Sequence, residues 1–327
     1  MPGALPIIAF ISLALVLVPL PIHWKSRNVP LLSIIAWLAL SNVTYGINSD
    51  IWYGNVKIED LVWCDISTKL KIGSEIALPA SAFALALRVY RITLQKNRLS
   101  FGHELLICFG VPILIMSLHT IVQGHRFDIY EDFGCTPAIY VSIPSIFILD
   151  IPPLVFSTLA LMFCSLALIN FARQRVAFSR MVNDSRNLGL SKARYVRLML
   201  ITLVLGVWNA LVISLTRSGT YRNGLLPWVS WDEVHADFWS FEGSQFRLDD
   251  IPEDVLVWVY LSWFSVPVTS LFVFSVFSFG AEAARDYRAC ARWVETTLFR
   301  RKSGTPSMFA TTRSVGSIDK SGGLTEV

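Results

Sequence analysis

Four ionisable side chains sit where long apolar runs would bury them: Lys69, Lys71, Glu75 and Asp150. Charged groups inside a membrane span are costly and are candidates for ligand or switch roles. Lys71 and Glu75 are four apart, so on a helix they share a face and can pair with one another. Lys69 falls near the end of the same run, where a long side chain can snorkel to the interface. Asp150 lies one turn into a later run, just before Pro152 and Pro153, and could face Lys69 or Lys71 across a bundle. Two readings stay open for these groups: a buried pair that orients helices, or an intramembrane switch that responds to a ligand.

Thiols are the second source of chemistry. Cys108 and Cys164 fall within apolar runs and read as small packing residues. Cys290, in a basic segment after the last run, is a palmitoylation candidate or a plain thiol. Cys64 and Cys135 are the two expected outside the cell, where disulfides persist. A Cys64–Cys135 bond would pin the loop after the fourth run over the mouth of a bundle.

The elements that must position these residues follow from composition. Of 327 residues, 54% are hydrophobic and 16% charged, against roughly 25% charged in a soluble domain. Apolar runs at about 5–22, 30–53, 66–92, 105–122, 143–171, 195–216 and 254–279 have about the length an α-helix needs to cross the hydrocarbon. The expectation is an all-α membrane protein, a seven-transmembrane helix bundle with its N-terminus outside and its C-terminus cytoplasmic. The first run has no basic residues before it and no small-residue cleavage site, so it reads as a retained helix and not a signal peptide. Charge supports that sidedness: 21 of the 28 Lys and Arg fall on the cytoplasmic side and five in outer loops, Arg217 among them. Acids run the other way, leaving the outer face near −9 and the inner face near +14, as the positive-inside rule requires.

Residues 1–279 therefore form the transmembrane domain. Residues 280–299, with Arg285, Arg288 and Arg292 at helical spacing, read as an amphipathic segment on the inner membrane surface. Residues 300–327 read as a disordered Ser/Thr-rich cytoplasmic tail with candidate phosphorylation sites. Prolines at 79, 112, 152, 153 and 267 favour local kinks. The connector from Arg217 to Glu253 is long, acidic and rich in aromatics, among them Trp228 and Trp231; it reads as an interfacial belt or as a lid for an apolar ligand.

Several functions are excluded by missing chemistry. There is no HExxH, GxSxG, phosphate-binding loop or dinucleotide fingerprint, so no enzyme, cofactor, metal or nucleic-acid partner is expected. The last run contains no lysine, which removes a retinal Schiff base. A small-solute transporter would show internal repeats with interrupted helices in matching positions, and none is visible.

Local strings go further than composition. WCDISTKL at 63–70, HTIVQGHRFDIYEDFGC at 119–135, RYVRLM at 194–199, PWVSWDEVH at 227–235, PLPIHWKSRNVP at 19–30 and FSFGAEAARDYR at 277–288 closely resemble the fungal pheromone receptors of the a-factor type. The resemblance implies a class D G-protein-coupled receptor in the plasma membrane, recognising a farnesylated peptide pheromone and activating a heterotrimeric G protein that feeds a MAP-kinase cascade. It also implies contact with membrane lipid and, by analogy, a homodimer, although no span carries GxxxG. On this reading Lys71, Glu75, Asp128, Tyr130, Trp228 and Trp231 face the ligand, Lys69 and Asp150 are intramembrane polar switches, and Arg88, Arg91, Arg173, Arg175, Arg194 and Arg197 face the G protein. The third run ends in RVYR with no DRY triplet and the seventh lacks NPxxY, in keeping with class D. The sixth run has no proline, where relatives often have one. A divergent or uncoupled member of the family is the alternative that these strings leave open.

Overall fold

Helix breakers decide where the apolar runs become separate elements. The structure, a computed structural model, describes residues 2–94, 96, 99–173, 192–221, 224–240 and 243–278. One unit, Met1–Ala284, contains them all; the other, Arg285–Val327, lies outside them. The expected surface segment at 280–299, the tail, Cys290 and Arg175 therefore fall outside the described residues.

The helices are α1 (Leu5–Leu17), α2 (Leu20–Lys25), α3 (Val29–Ile51), α4 (Leu61–Thr93), α5 (Phe101–Val122), α6 (Ile143–Arg173), α7 (Lys192–Thr220), the short α8 (Trp231–Val234) and α9 (Glu253–Ser278). Among the described residues six helices, α3 to α7 and α9, are long and apolar enough to cross a membrane. The first expected span differs. It is divided at Val18 and Pro19 into α1 and α2, because proline has no N–H with which to continue the helix. The 13 residues of α1 rise only about 20 Å, short of the roughly 30 Å of hydrocarbon.

The helices are apolar outside as well as inside, unlike a soluble bundle, and bury a set of polar groups within the apolar core. Ile113, Leu114, Phe147 and Val257 are exposed, whereas Ser33, Asn42, Ser81 and Ser270 are buried. Those polar groups join helices: Ser81 donates to Ser33 at 2.9 Å, and Asn42 Nδ2 to Ser270 at 2.8 Å. Hydroxyls and amides take this role in membranes because lipid gives helices no hydrophobic reason to associate.

Prolines reshape two helices. Five-residue π-helical turns, Leu106–Gly110 in α5 and Ile146–Asp150 in α6, precede Pro112 and Pro152–Pro153. A wider turn relieves the clash of the proline ring with the preceding carbonyls. Pro112 cannot donate to the carbonyl of Cys108, so that oxygen accepts instead from Trp37 Nε1 at 3.2 Å and Ser33 Oγ at 3.3 Å. The freed carbonyl thus becomes an attachment between α5 and α3. Pro79 and Pro267 are carried inside α4 and α9.

At one end of the bundle, the hairpin end, β1 (Asp128–Tyr130) pairs antiparallel with β2 (Gly134–Thr136). The long connector before α9 supplies β3 (Gln245–Phe246), parallel to β1, so the sheet order is β2-β1-β3. Gly134 makes the hairpin possible. Its φ is +74°, and a Cβ there would sit 2.6 Å from Asn48 Cβ and 2.8 Å from the Trp52 ring. Gly134→Ala is therefore expected to cost about 2 kcal/mol or more, from left-handed strain and overpacking together. A lower melting temperature of the detergent-solubilised protein checks this; an unchanged one would mean that the hairpin can lift off α3.

Candidate functional site

Three helices bring their charges to one guanidinium. Arg217 stands three residues before the end of α7. Its Nη2 lies 2.8 Å from Glu75 of α4, and its Nε 2.8 Å from Asp150 of α6. The hydroxyl of Tyr221 donates to the second oxygen of Asp150. This corrects two expectations. Arg217 belongs to a helix and not to an outer loop, and Asp150 is met by Arg217 and Tyr221, not by Lys69 or Lys71. The π-turn ahead of Pro152 and Pro153 ends at Asp150, which is how α6 comes to aim a carboxylate inward.

Glu75 likewise pairs with Arg217 and not with Lys71. Lys71 lies over the Tyr45 ring at 5.9 Å, a cation–π contact that offsets part of the ammonium's loss of water. Lys69 does not snorkel: its Nζ is 2.9 Å from His119 Nδ1 and donates to Gln123 at 2.7 Å, joining α4 to α5 and the chain just beyond it.

A cavity opens beside this cluster. Tyr45, Ser74, Glu75, Leu78, Trp208, Asn209, Arg217, Ser262 and Thr269 are among its lining residues, drawn from α3, α4, α7 and α9. Trp208 Nε1 donates to Thr269 at 2.9 Å and fixes that wall. Asn209, 8% exposed, lines the cavity and has a buried Nδ2 without a hydrogen-bond partner. Mixed apolar walls with a few convergent polar groups are the usual make-up of a ligand site.

At the hairpin end β1 and β2 form a lid on the bundle, with Phe133 between them edge-on to Tyr260 of α9 at 5.0 Å. Cys64, in the first turn of α4, and Cys135, on β2, are joined as a disulfide with their Cα atoms 5.3 Å apart. Trp52, Phe127 and Ile129 pack around the bond, all with no exposed surface. Arg126 holds the same corner, with Nε donating to Asp65 of α4 at 3.2 Å and Nη2 to its other oxygen. On the far edge β3 is tied in by Ile129 N to Ser244 O at 2.7 Å and by Leu248 N to Glu131 Oε2 at 2.9 Å.

The six ligand-facing candidates do not converge on one point. Glu75 lines the cavity and Lys71 stands beside it over Tyr45, which lines it too. Asp128 and Tyr130 belong to the lid, and Trp228 and Trp231 to the connector before α9. Tyr130 stacks on Phe246 at 4.8 Å; burial, and then the charge of Asp128, push its hydroxyl up to about 12, so it stays a neutral donor. Trp228 Nε1 donates to Ile121 O at 3.2 Å, and Trp231, half exposed, stacks on His235 at 3.9 Å.

Asp128 accepts from His125 Nε2 at 2.6 Å, and that hydrogen bond, outweighing partial burial, raises the His125 pKa above its ordinary 6.5. A raised folded-state value means the pair stabilises fully below about 6.5 and loses its contribution as pH rises through the folded value. The pair is partly exposed, with His125 at 34%, so its effect stays below about 1 kcal/mol. Melting temperatures at pH 5.5 and 8.5 check it: the wild type is expected to lose more than Asp128→Asn between the two, and parallel losses would refute the assignment.

The opposite end of the bundle carries the cationic candidates. Arg88, expected to face a G protein, is buried at 6% exposure, donates to Asn28 at 2.8 Å and lies 3.6 Å from Glu104. Its charge is spent inside the bundle and is not presented to a partner, because a buried guanidinium needs a carboxylate. Arg91 is half-buried and Arg173 is exposed. Arg194 and Arg197 lie in the first turns of α7; their side chains are outside the described residues.

A family model described as "Pheromone A receptor" matches residues 4–297. The chain belongs to the Pheromone A receptor family. It is 39% identical over 290 residues to "Pheromone B beta 1 receptor" of Schizophyllum commune, covering 86% of this chain and 53% of that one. It is 26% identical to "Pheromone receptor 1" of Mycosarcoma maydis, over 86% and 82% of the two chains, and 26% identical to "Pheromone M-factor receptor" of Schizosaccharomyces pombe, over 66% and 62%. The chain spans about half the length of its Schizophyllum relatives. No solved structure matches. Family membership and six apolar helices make it a multi-pass membrane protein of a receptor family, not of an enzyme class.

Arg217, Asn209 and the Arg126–Asp65 pair are what the residue spacing missed in this family member. One signal for Arg217 was in plain view: it stands one residue past the expected sixth run, while Glu75 and Asp150 are acids set inside other runs. A carboxylate buried in a bundle needs a cation beside it.

Proposed function

We propose that this chain is a seven-span plasma-membrane receptor, with the hairpin end outside, that binds a farnesylated peptide pheromone and activates a heterotrimeric G protein. The observation that carries the reading is the cavity shared by α3, α4, α7 and α9 in a bundle with a cross-linked lid, in a chain whose family match runs almost end to end. The first of the seven spans is α1 with its continuation α2, and the positive-inside count orients the bundle.

Ligand and lid suit one another. Leu225, Leu226, Val229, Trp231 and Trp239 of the connector before α9 are all exposed and give an apolar surface for a prenyl chain beside the outer leaflet. Asp128 and Tyr130 on the hairpin, Trp228 on the connector, and Lys71 and Glu75 deeper down take the peptide. At the cytoplasmic end Arg91, Arg173, Arg175, Arg194 and Arg197 meet the G protein, with Arg88 bracing the helices behind them.

The test is a G-protein-dependent reporter in a heterologous cell lacking its own pheromone receptors, challenged with farnesylated peptides and their unprenylated counterparts. A response confined to the prenylated forms is expected. Silence across a broad panel, with surface expression confirmed, would overturn the coupling half of the proposal and leave an uncoupled family member.

A further inference from the structure

The two carboxylates held by Arg217 are not equivalent: Glu75 accepts a hydrogen bond from Nη2, whereas Asp150 Oδ1 meets Nε as an ion pair without one, so burial and not hydrogen-bond geometry is what sets Asp150 apart. Asp150 is 7% exposed at its side chain, and Tyr221 closes it off from the far side; Glu75 is 35% exposed and lines the cavity. A group entering the cavity meets Glu75 and cannot reach Asp150. The guanidinium is the only element common to both pairs, and it sits on the last turn of α7.

Anything that weakens the Glu75 half therefore removes the ionic tie between α7 and α4 at this end of the bundle while leaving the tie to α6 in place. Resting on the receptor reading above, we infer that Arg217–Glu75 is a releasable latch that holds the ligand-free arrangement, and that Arg217–Asp150 is the permanent fastening about which α7 moves. Arg217 is thus a positioning residue for signalling, acting through helices and not through the ligand. The cavity supports this division. Asn209 lies eight residues before Arg217, so both fall on one face of α7, and both line the space between α7 and α4. A ligand in this cavity would stand against both helices on the side where the latch must part. The fork of an arginine is needed for the double grip, since a lysine ammonium cannot span two carboxylates in fixed geometry.

The proposal separates residues that a merely structural triad would treat alike. In the reporter cell without any ligand, Glu75→Gln is expected to raise basal output about fivefold or more, a typical size for a coupling between two states, at wild-type surface expression. Arg217→Lys is expected to do the same. Asp150→Asn is expected to lower surface expression with no rise in output per receptor. A second readout does not depend on coupling: spin labels at the exposed positions Ile66 on α4 and Leu215 on α7, placed in purified protein carrying Cys290→Ser, report the separation of the two helices. Glu75→Gln is expected to lengthen it relative to Glu75 protein.

A longer distance with a silent reporter would keep the latch and sink the receptor reading. An unchanged distance and unchanged basal output, in a protein whose parent answers prenylated peptide, would overturn the latch and keep the receptor. Equal rises for Glu75→Gln and Asp150→Asn would overturn the division into latch and fastening.

Discussion

Alanine at Cys64 or Cys135 is expected to cost about 4 kcal/mol of stability, the chain-entropy value for opening a 71-residue loop. The bond joins the first turn of α4 to β2, and the closed loop contains the rest of α4, all of α5 and strand β1. Without it, the hairpin is held to α4 mainly by the Arg126–Asp65 pair, with Asp65 43% exposed, and exposed pairs contribute little. The apolar packing of Trp52, Phe127 and Ile129 around the sulfurs would also loosen. Thermal unfolding of the detergent-solubilised protein measures this: the Cys64→Ala and Cys135→Ala variants, their double variant and the reduced wild type should all melt together, well below the oxidised wild type. A double variant that melts with the oxidised wild type would show that packing alone pins the lid. Ligand binding should suffer with stability, because β3 and the connector before α9 are docked on β1 and lose their anchor when the hairpin moves.

How far this architecture could be read from residues alone depends on the range of the interaction that decides each feature. The apolar runs behind α3 to α7 and α9 are local signals about 20 residues long, and they mark these helices to within a few residues. Pro19 is equally local, yet its effect depends on whether a helix continues across it, so one expected run became α1 and α2. The pairing of Lys71 with Glu75 failed for a different reason. Spacing of four says which residues share a face, but not what the neighbouring helix puts opposite them; Arg217, 142 residues away along the chain, offered Glu75 a stronger bidentate-capable donor. Arg88 shows the same limit, since a basic residue at the end of a run looks solvent-facing until Asn28 and Glu104 are seen to enclose it. The parallel strand β3 had no readable signal: two residues in a long acidic connector gain their conformation only from the edge of β1.

Arg217→Met should destabilise the bundle by about 3 kcal/mol, because removing one member of a buried ion pair strands the others. Most of that falls on Asp150, whose side chain is 7% exposed; Glu75, at 35%, can recover solvation from the cavity and is discounted accordingly. The choice of methionine separates charge from packing. Methionine keeps most of the arginine's length and fills the same space between α4, α6 and α7, so a loss of stability reflects the stranded carboxylate and not a void. A second substitution, Asp150→Leu in the Arg217→Met background, removes that carboxylate and should recover most of the loss, since a buried pair replaced on both sides by apolar groups is close to neutral. Asp150→Leu alone leaves Arg217 with Glu75 as its one partner and should cost more than the double variant. Melting temperatures of the three variants form the cycle. Additive losses would mean that the two side chains act independently, and a single Arg217→Met variant as stable as the wild type would mean that Tyr221, already donating to Asp150, suffices to satisfy it. In that case the guanidinium would be dispensable for the fold and kept for its hold on Glu75 alone, at the wall of the cavity.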